Sequence, residues 1–304
     1  MNVWLVPAFS RFCRPVSLPV ELRAHETKRF RHSFSMMEQS NSPVRASTAA
    51  CWAVIAASLL QIAIPSLPAL GFGEPIGAQS DEVRTLITPA GWAFSIWGPL
   101  FAGAIAFAIY QALPAQRDSA LLAHLRWPAA GAFLGNAVWA LYTQSFGLSA
   151  ISALIIIFTL ACLVAAYRAI ANWQPMFTRA QRWLAVLPLS ALAAWLTAAT
   201  IVNISASLRY HGVDAGEAAP LVTAIVILVG GIIAAAALDR GRGNPPYALV
   251  FLWALAAIYA SGGQRADLVA GAAGVAAILV VIGTMTGLRS AGPGRWFGSA
   301  PVNT

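Results

Sequence analysis

The chain has 304 residues, of which 59% are hydrophobic and only 10% are charged, and its mean hydropathy is +0.69. Soluble domains carry roughly 25% charged residues, so this composition excludes an ordinary soluble domain and indicates a polytopic membrane protein. The net charge of +8 lies almost wholly outside the apolar runs, and no nucleic-acid motif accompanies it. We therefore interpret the charge as a signal of orientation and of contact with lipid headgroups.

Residues 1–45 form a separate region that is basic, contains several serines and cannot bury a core. It is consistent with a transit peptide, with a disordered cytoplasmic tail, or with translated sequence upstream of a true start at Met36 or Met37. We favour the last two interpretations because three acids interrupt the region: Glu21, Glu26 and Glu38. This region is not counted in the fold.

Eight apolar runs follow, and each is a candidate transmembrane helix. They cover about residues 46–67, 92–112, 127–145, 149–170, 183–206, 218–238, 246–260 and 268–288. The seventh run is short for a hydrocarbon core about 30 Å thick, so it must stand untilted, include Pro245 and Pro246, or lie partly inside the protein. The prediction is an all-α integral membrane protein with a cytoplasmic tail at residues 291–304.

Arginines between the runs predict the orientation, because cytoplasmic loops collect basic residues. An even number of spans places both termini and the even-numbered loops on one side, where ten arginines lie. From residue 45 onward the other side holds three: Arg84, Arg209 and Arg265. We expect both termini to lie in the cytoplasm. We also expect the protein to lie in a bacterial cytoplasmic membrane and not in an organelle membrane.

Apart from Arg168, near the end of the fourth run, the runs contain no Asp, Glu, Lys or Arg. Ion-coupled carriers usually place ionisable groups at membrane depth, so this pattern disfavours them. We find no acid–base pair, no nucleophile beside a histidine and no metal-ligand spacing, and the three cysteines are widely separated. The sequence therefore predicts neither catalysis nor a metal site, and the predicted function requires no cofactor.

Aromatic residues cluster where the acidic loop enters the second run. Pro89 suits the first turn of a helix, and Thr88 is a candidate N-cap. Trp92, Phe94 and Trp97 follow within about two turns, on neighbouring helix faces. They can line a cavity or mark a membrane interface.

The third, fifth and last runs carry further motifs. In the third, Gly131 and Gly135 form a face for close helix packing, and Asn136 lies one turn from Trp139. In the fifth, Trp195 and Asn203 are eight residues apart, near one stripe of the helix. In the last, Gly283 and Gly287 repeat the glycine spacing. Taken singly, each motif is explained by helix packing.

Taken together, these motifs resemble the TspO/MBR family, the tryptophan-rich sensory proteins. Its members carry a Pro-x-Trp loop, a Trp-rich second helix, an Asn-x-x-Trp third helix and a fifth helix with Trp followed by Asn. Here the matching residues occur in the same order on the expected spans over about residues 46–206: Pro89, Trp92, Phe94, Trp97, Asn136, Trp139, Trp195 and Asn203. The chain departs from the pattern in the Trp92–Trp97 spacing and in Ser95, which stands where a proline is usual.

The resemblance implies a five-helix unit over residues 46–206, to which residues 207–290 add three helices. It also implies binding of hydrophobic planar ligands, tetrapyrroles such as protoporphyrin or haem, with a sensory output. The expected lining is Trp92, Phe94, Trp97, Asn136, Trp139, Trp195 and Asn203. Besides the lipid bilayer and this ligand, the sequence leaves a homodimer open.

Two alternatives compete with this prediction. One is a small-molecule permease that uses the same aromatic faces. The other is a scaffold that binds a partner helix through Gly131 and Gly135 or through Gly283 and Gly287.

Overall fold

A computed structural model describes residues 47–292 and 294–298, and within these ranges the chain forms helices and turns and no strand. The predicted basic region at residues 1–45 lies outside the described residues. Eight long helices are α1 (Thr48–Ala63), α2 (Trp97–Ala112), α3 (Ala120–Phe146), α4 (Ala150–Asn172), α5 (Leu187–Tyr210), α6 (Ala219–Arg240), α7 (Pro245–Ile258) and α8 (Asp267–Ala291).

Shorter helical segments extend or connect these helices. 3₁₀ segments follow α1 at Ile64–Leu70 and precede α2 at Gly91–Ile96, and a short α-helix, Ile76–Glu82, lies between them. π-helical turns precede α5 at Arg182–Val186 and follow α7 at Tyr259–Gly263. The second π turn lengthens the short seventh span, and Asn244 caps its start by accepting a hydrogen bond from Tyr247 N.

Helix α5 is the central element of the bundle. In the apolar 18-residue window of Arg179–Tyr210, the segment that includes α5, 78% of residues are buried. In the corresponding window of Thr48–Leu70, the segment that includes α1, 22% are buried. It packs on α2, α4 and α7, while α3 packs on α1 and α4, and α6 packs on α8. The outer helices expose large apolar residues, such as Leu154, Leu249 and Ile278. This pattern suits helices that face lipid, where each backbone polar group must be satisfied within its own helix.

Seven helices of the described part are long and apolar enough to cross a membrane. Helix α3, the third of the eight predicted spans, has the length but is more polar and is not among them. Many of its polar side chains face the bundle: Arg126, Asn136, Thr143 and Gln144 are all buried.

Arg126 is one of the ten arginines that the sequence analysis placed between the apolar runs, and its position in the structure corrects that assignment. It lies inside α3 and is fully buried, with its guanidinium on the end of α2. Its Nη2 donates to Gln111 O at 3.1 Å and Gln116 O at 2.8 Å, and its Nε donates to Gln111 Oε1 at 3.0 Å. Arg126 therefore donates to one carbonyl near the end of α2 and to another in the turn that follows it.

The four predicted packing glycines lie in contacts between helices of the same chain. A Cβ added to Gly131 or Gly135 would come within 2.9 Å of side chains on α4. A Cβ added to Gly283 or Gly287 would come within 2.5 Å of backbone atoms on α6 or just after it. These faces are therefore occupied within the chain, which removes the surface on which the scaffold alternative depended.

Candidate functional site

The predicted start of the second span is wrong. The helix does not begin at Pro89 with Thr88 as its cap; residues 88–90 are not helical, and a 3₁₀ segment begins at Gly91. Thr88 Oγ1 instead accepts from Thr85 N at 3.0 Å, and Ala90 N donates to Ala257 O of α7 at 3.0 Å. Because 3₁₀ residues repeat every three positions, the aromatic residues take directions different from those in an α-helix.

An aromatic cavity lies below this loop, between α3, α5 and α7. Its volume is about 60 Å³. It is lined by Ile76, Ser80, Pro89, Phe94, Trp139, Leu148, Trp195, Ala198, Ala199, Val202, Asn203, Ala206, Ala254 and Ile258. Four of the seven predicted lining residues are among them: Phe94, Trp139, Trp195 and Asn203.

Trp195 is the central aromatic residue of the cavity. Its indole is 4% exposed and meets Phe94 and Trp97 edge to face, with ring centroids 6.3 and 6.1 Å apart. Its Nε1 is buried and has no hydrogen-bond partner among the described residues. A buried donor without an acceptor costs roughly 1–3 kcal/mol, so a ligand acceptor at this position would recover that free energy.

Asn203 joins three helices at the cavity wall. Its Oδ1 accepts from Trp139 Nε1 at 3.4 Å, and its Nδ2 donates to Ser152 Oγ at 3.2 Å. These bonds link α5 to α3 and α4 and orient the Trp139 indole. The lining residues whose side chains carry a polar atom are Asn203, Trp139, Trp195 and Ser80.

The other three predicted residues lie elsewhere. Trp97 contacts Trp195 but does not line the cavity. It stacks on Phe101, and the centroids of these two rings are 5.2 Å apart. Asn136 Nδ2 donates to Gln61 Oε1 of α1 at 3.3 Å, outside the cavity lining. Trp92 is 47% exposed and packs edge to face on Trp253 of α7, with centroids 4.8 Å apart.

Sequence reasoning missed the segment 71–87, which covers the cavity, and one wall of the cavity. Ile76 and Ser80 come from the short helix Ile76–Glu82, and Ala254 and Ile258 come from α7. Trp253 Nε1 also donates to Ala93 O at 3.2 Å. No local motif marks these small or aliphatic residues, although the i, i+4 spacing of Ala254 and Ile258 places them on one helix face.

A second, larger pocket opens beside the cavity at the same end of the bundle. Its volume is about 340 Å³, and its lining includes all three arginines predicted to face outward: Arg84, Arg209 and Arg265. Arg84 and Arg209 form ion pairs with Asp81 and Asp214, and Arg265 Nη2 donates to Thr85 O at 3.4 Å. We call this pocket the outer groove.

The described residues contain no group of three or more His, Cys, Asp or Glu side chains that could hold a metal ion. The aromatic cavity itself is lined by no ionisable side chain. Its chemistry is that of a binding site for an apolar molecule, with a few polar groups that can orient it.

Fold and site together define a class: a polytopic α-helical membrane protein with an aromatic cavity under a connecting loop. A family model described as TSPO-like protein matches residues 46–286, which is most of the chain. The chain therefore belongs to the TSPO-like protein family, and the predicted membership is confirmed. No curated protein and no solved structure matches it.

The family match also extends beyond the part of the chain on which the resemblance was based. It includes α6, α7 and most of α8. The division into a five-helix unit at residues 46–206 and three additional helices stays a prediction.

Proposed function

We propose that this protein is a non-enzymatic membrane receptor that binds a hydrophobic planar ligand of the tetrapyrrole class, such as protoporphyrin or haem, in the aromatic cavity. The observation that supports this most directly is that Trp139, Trp195 and Phe94 come from three separate elements to line one cavity, and that the buried Nε1 of Trp195 has no partner among the described residues. Aromatic faces stack on flat apolar rings, and a few polar groups suffice to orient them.

The size of the cavity imposes a condition on this function. Pockets for drug-sized ligands usually occupy about 300–1,000 Å³, several times the 60 Å³ seen here. A tetrapyrrole can bind only if the cover moves. The cover is the segment 71–87, most of which is exposed, with Ile76 and Ser80 directed to the cavity. Its displacement by ligand would provide the sensory output.

The orientation of the bundle and the membrane that holds it also stay proposals. The arginine pattern favours a cover outside the cytoplasm and both termini inside it, and the membrane that we propose is the bacterial cytoplasmic membrane.

The test is a titration of detergent-purified protein with protoporphyrin, followed by tryptophan fluorescence and visible absorbance. We expect saturable binding that weakens at least tenfold, about 1.4 kcal/mol, in Trp139→Ala and in Trp195→Ala. Trp127→Ala is the matched control, because Trp127 lies on the same helix as Trp139 but is exposed on the outside of the bundle. It should change the affinity less than twofold.

Two results would contradict the proposal. Without saturable binding, the chain does not use the family's ligand chemistry, and substrate flux in proteoliposomes then tests the permease alternative. If binding is unchanged by both cavity substitutions but is lost in Arg265→Gln, the porphyrin occupies the outer groove instead.

A further inference from the structure

The end of the bundle opposite the cover carries an excess of positive charge, although Asp118 and Asp239 also lie there. We call it the arginine end; it holds the connections α2–α3, α4–α5 and α6–α7. Both ion pairs found among the described residues, Arg84–Asp81 and Arg209–Asp214, lie at the other end. Of the described arginines at the arginine end, none has a carboxylate oxygen within 4.0 Å. The exposed arginines among them are therefore available to an anion from outside the chain.

The segment Gly294–Phe297 docks onto this end and draws several arginines together. Trp296 Nε1 donates to Arg242 O at 2.6 Å, and Arg182 Nη1 donates to Trp296 O at 2.8 Å. Arg295 Nη2 donates to Ile170 O at 2.7 Å, at the end of α4. Trp296 is thus the point at which the start of α5, the α6–α7 connection and the C-terminal segment meet.

A pocket of about 410 Å³ opens beside Trp296. Its lining contains two arginines and no acid, together with prolines and exposed aromatic side chains. The residues that matter here are Arg179, Arg182, Trp183, Pro245, Trp296 and Phe297. We call it the arginine pocket.

Unsatisfied donors accompany this charge. Arg182, in the pocket, and Arg295, beside Trp296, each have a buried Nε with no hydrogen-bond partner among the described residues. Burial, together with the nearby charge of Arg242, lowers the pKa of Arg295 to about 10. An anion in the pocket would lie beside Arg182 and would reduce the electrostatic cost of the positive charges gathered around Trp296.

We propose that the arginine pocket binds the phosphate headgroup of an anionic phospholipid. Guanidinium groups suit phosphate because their N–H donors form two parallel hydrogen bonds to its oxygens. A lipid is favoured over free phosphate by the apolar rim. Trp183 is 59% exposed and Phe297 is 70% exposed, beside Leu187 in the first turn of α5. Aromatic residues at such positions lie at the membrane interface, where acyl chains join their headgroups.

This site is distinct from the aromatic cavity and does not depend on tetrapyrrole binding. The two pockets share no lining residue, and they lie at opposite ends of α5. Trp296 and Phe297 also fall outside the family match, which ends at residue 286.

The experiment measures lipid retention by native mass spectrometry of the full chain in detergent. Dioleoylphosphatidylglycerol is titrated against dioleoylphosphatidylcholine, whose headgroup has no net charge, and inorganic phosphate is added as a competitor in a separate series. We expect phosphatidylglycerol to bind at least tenfold more tightly than phosphatidylcholine. Arg179→Gln/Arg182→Gln should remove most of this preference.

Arg168→Gln/Arg289→Gln is the matched control. It removes the same charge from two exposed arginines near the same end that do not line the pocket, and it should change the preference less than twofold. Because Arg182 also holds Trp296, Arg179→Gln alone is included. Arg179 is exposed at a helix start, so its loss should leave the fold intact and still weaken phosphatidylglycerol binding severalfold.

Equal losses in the pocket and control variants would overturn the proposal, because they would indicate diffuse attraction to the whole face. Displacement of the lipid by millimolar inorganic phosphate would assign the pocket to a free anion. Equal binding of the two lipids would remove the electrostatic basis of the site.

Discussion

Trp195 combines two roles that its chemistry allows to be separated. Its ring fills the space between Phe94 and Trp97, while its Nε1 donates to no acceptor in the described structure. The ring contributes to folding through burial and edge contacts. The N–H opposes folding unless a ligand accepts its hydrogen bond.

Trp195→Phe tests this separation. The substitution keeps an aromatic ring and removes the unpaired donor, so the ligand-free protein should unfold at the same temperature or slightly higher. The affinity for protoporphyrin should fall about three- to tenfold, the value of one net hydrogen bond of about 0.5–1.5 kcal/mol. Thermal unfolding in detergent and the porphyrin titration measure the two effects.

Trp173→Phe is the control for this prediction. The Nε1 of Trp173 is also buried without a partner, but Trp173 lies in the α4–α5 connection and does not line the aromatic cavity. Its replacement should leave the affinity unchanged. Equal affinity losses in both variants would show that the N–H of Trp195 has no specific role.

At the level of elements, close contact between α6 and α8 depends on glycine. A Cβ at Gly283 would lie 2.5 Å from Ala235 O and 2.7 Å from its Cα, so the helices would have to separate. Gly274, on the same helix, has no atom within 4 Å of such a Cβ. One helix therefore offers both a packed and an open glycine.

We predict that Gly283→Ala destabilises the protein, by about 1–3 kcal/mol for an overpacked contact. Gly274→Ala should be neutral or stabilise by up to about 1 kcal/mol, since alanine is the better helix former. Thermal unfolding of the two variants in the same detergent measures the difference. Equal stabilities would mean that α6 and α8 adjust freely at Gly283.

At the scale of the whole molecule, α7 belongs to the site. It supplies Ala254 and Ile258 to the cavity wall, its Trp253 holds the 3₁₀ segment, and Ala257 O accepts from Ala90 N. The entry to α2 and its aromatic residues are thus positioned by a helix outside the five-helix unit that the sequence analysis predicted.

Truncation tests whether that unit is independent. A chain ending at residue 206 would lack α6, α7 and α8, so we expect it to aggregate on extraction or to bind no protoporphyrin. A chain ending at residue 290 keeps all eight helices except for the last residue of α8 and should bind like the full protein. Size-exclusion chromatography and the porphyrin titration compare the two. A monodisperse, ligand-binding fragment 46–206 would establish an autonomous five-helix unit.

Much of this protein is determined by local sequence. Length, hydropathy and the absence of charge in the run interiors predicted an all-α membrane protein, because lipid admits few other backbone structures. Four short motifs in order predicted the family, which the match over residues 46–286 confirms. The glycine spacings marked the α3–α4 and α6–α8 contacts, since only small residues allow backbones to approach so closely.

Tertiary structure decided which motif residues share a site. The 3₁₀ start turned Trp92 away from Trp195 and toward Trp253, and Asn136 found its partner on α1. Arg126 is a buried hydrogen-bond donor and not a loop residue, because the end of α2 and the turn after it lie beside it. The arginine pocket exists only because a C-terminal segment folds back on distant connections. Local sequence specifies the helices, but the partners of each side chain depend on contacts between residues far apart in the chain.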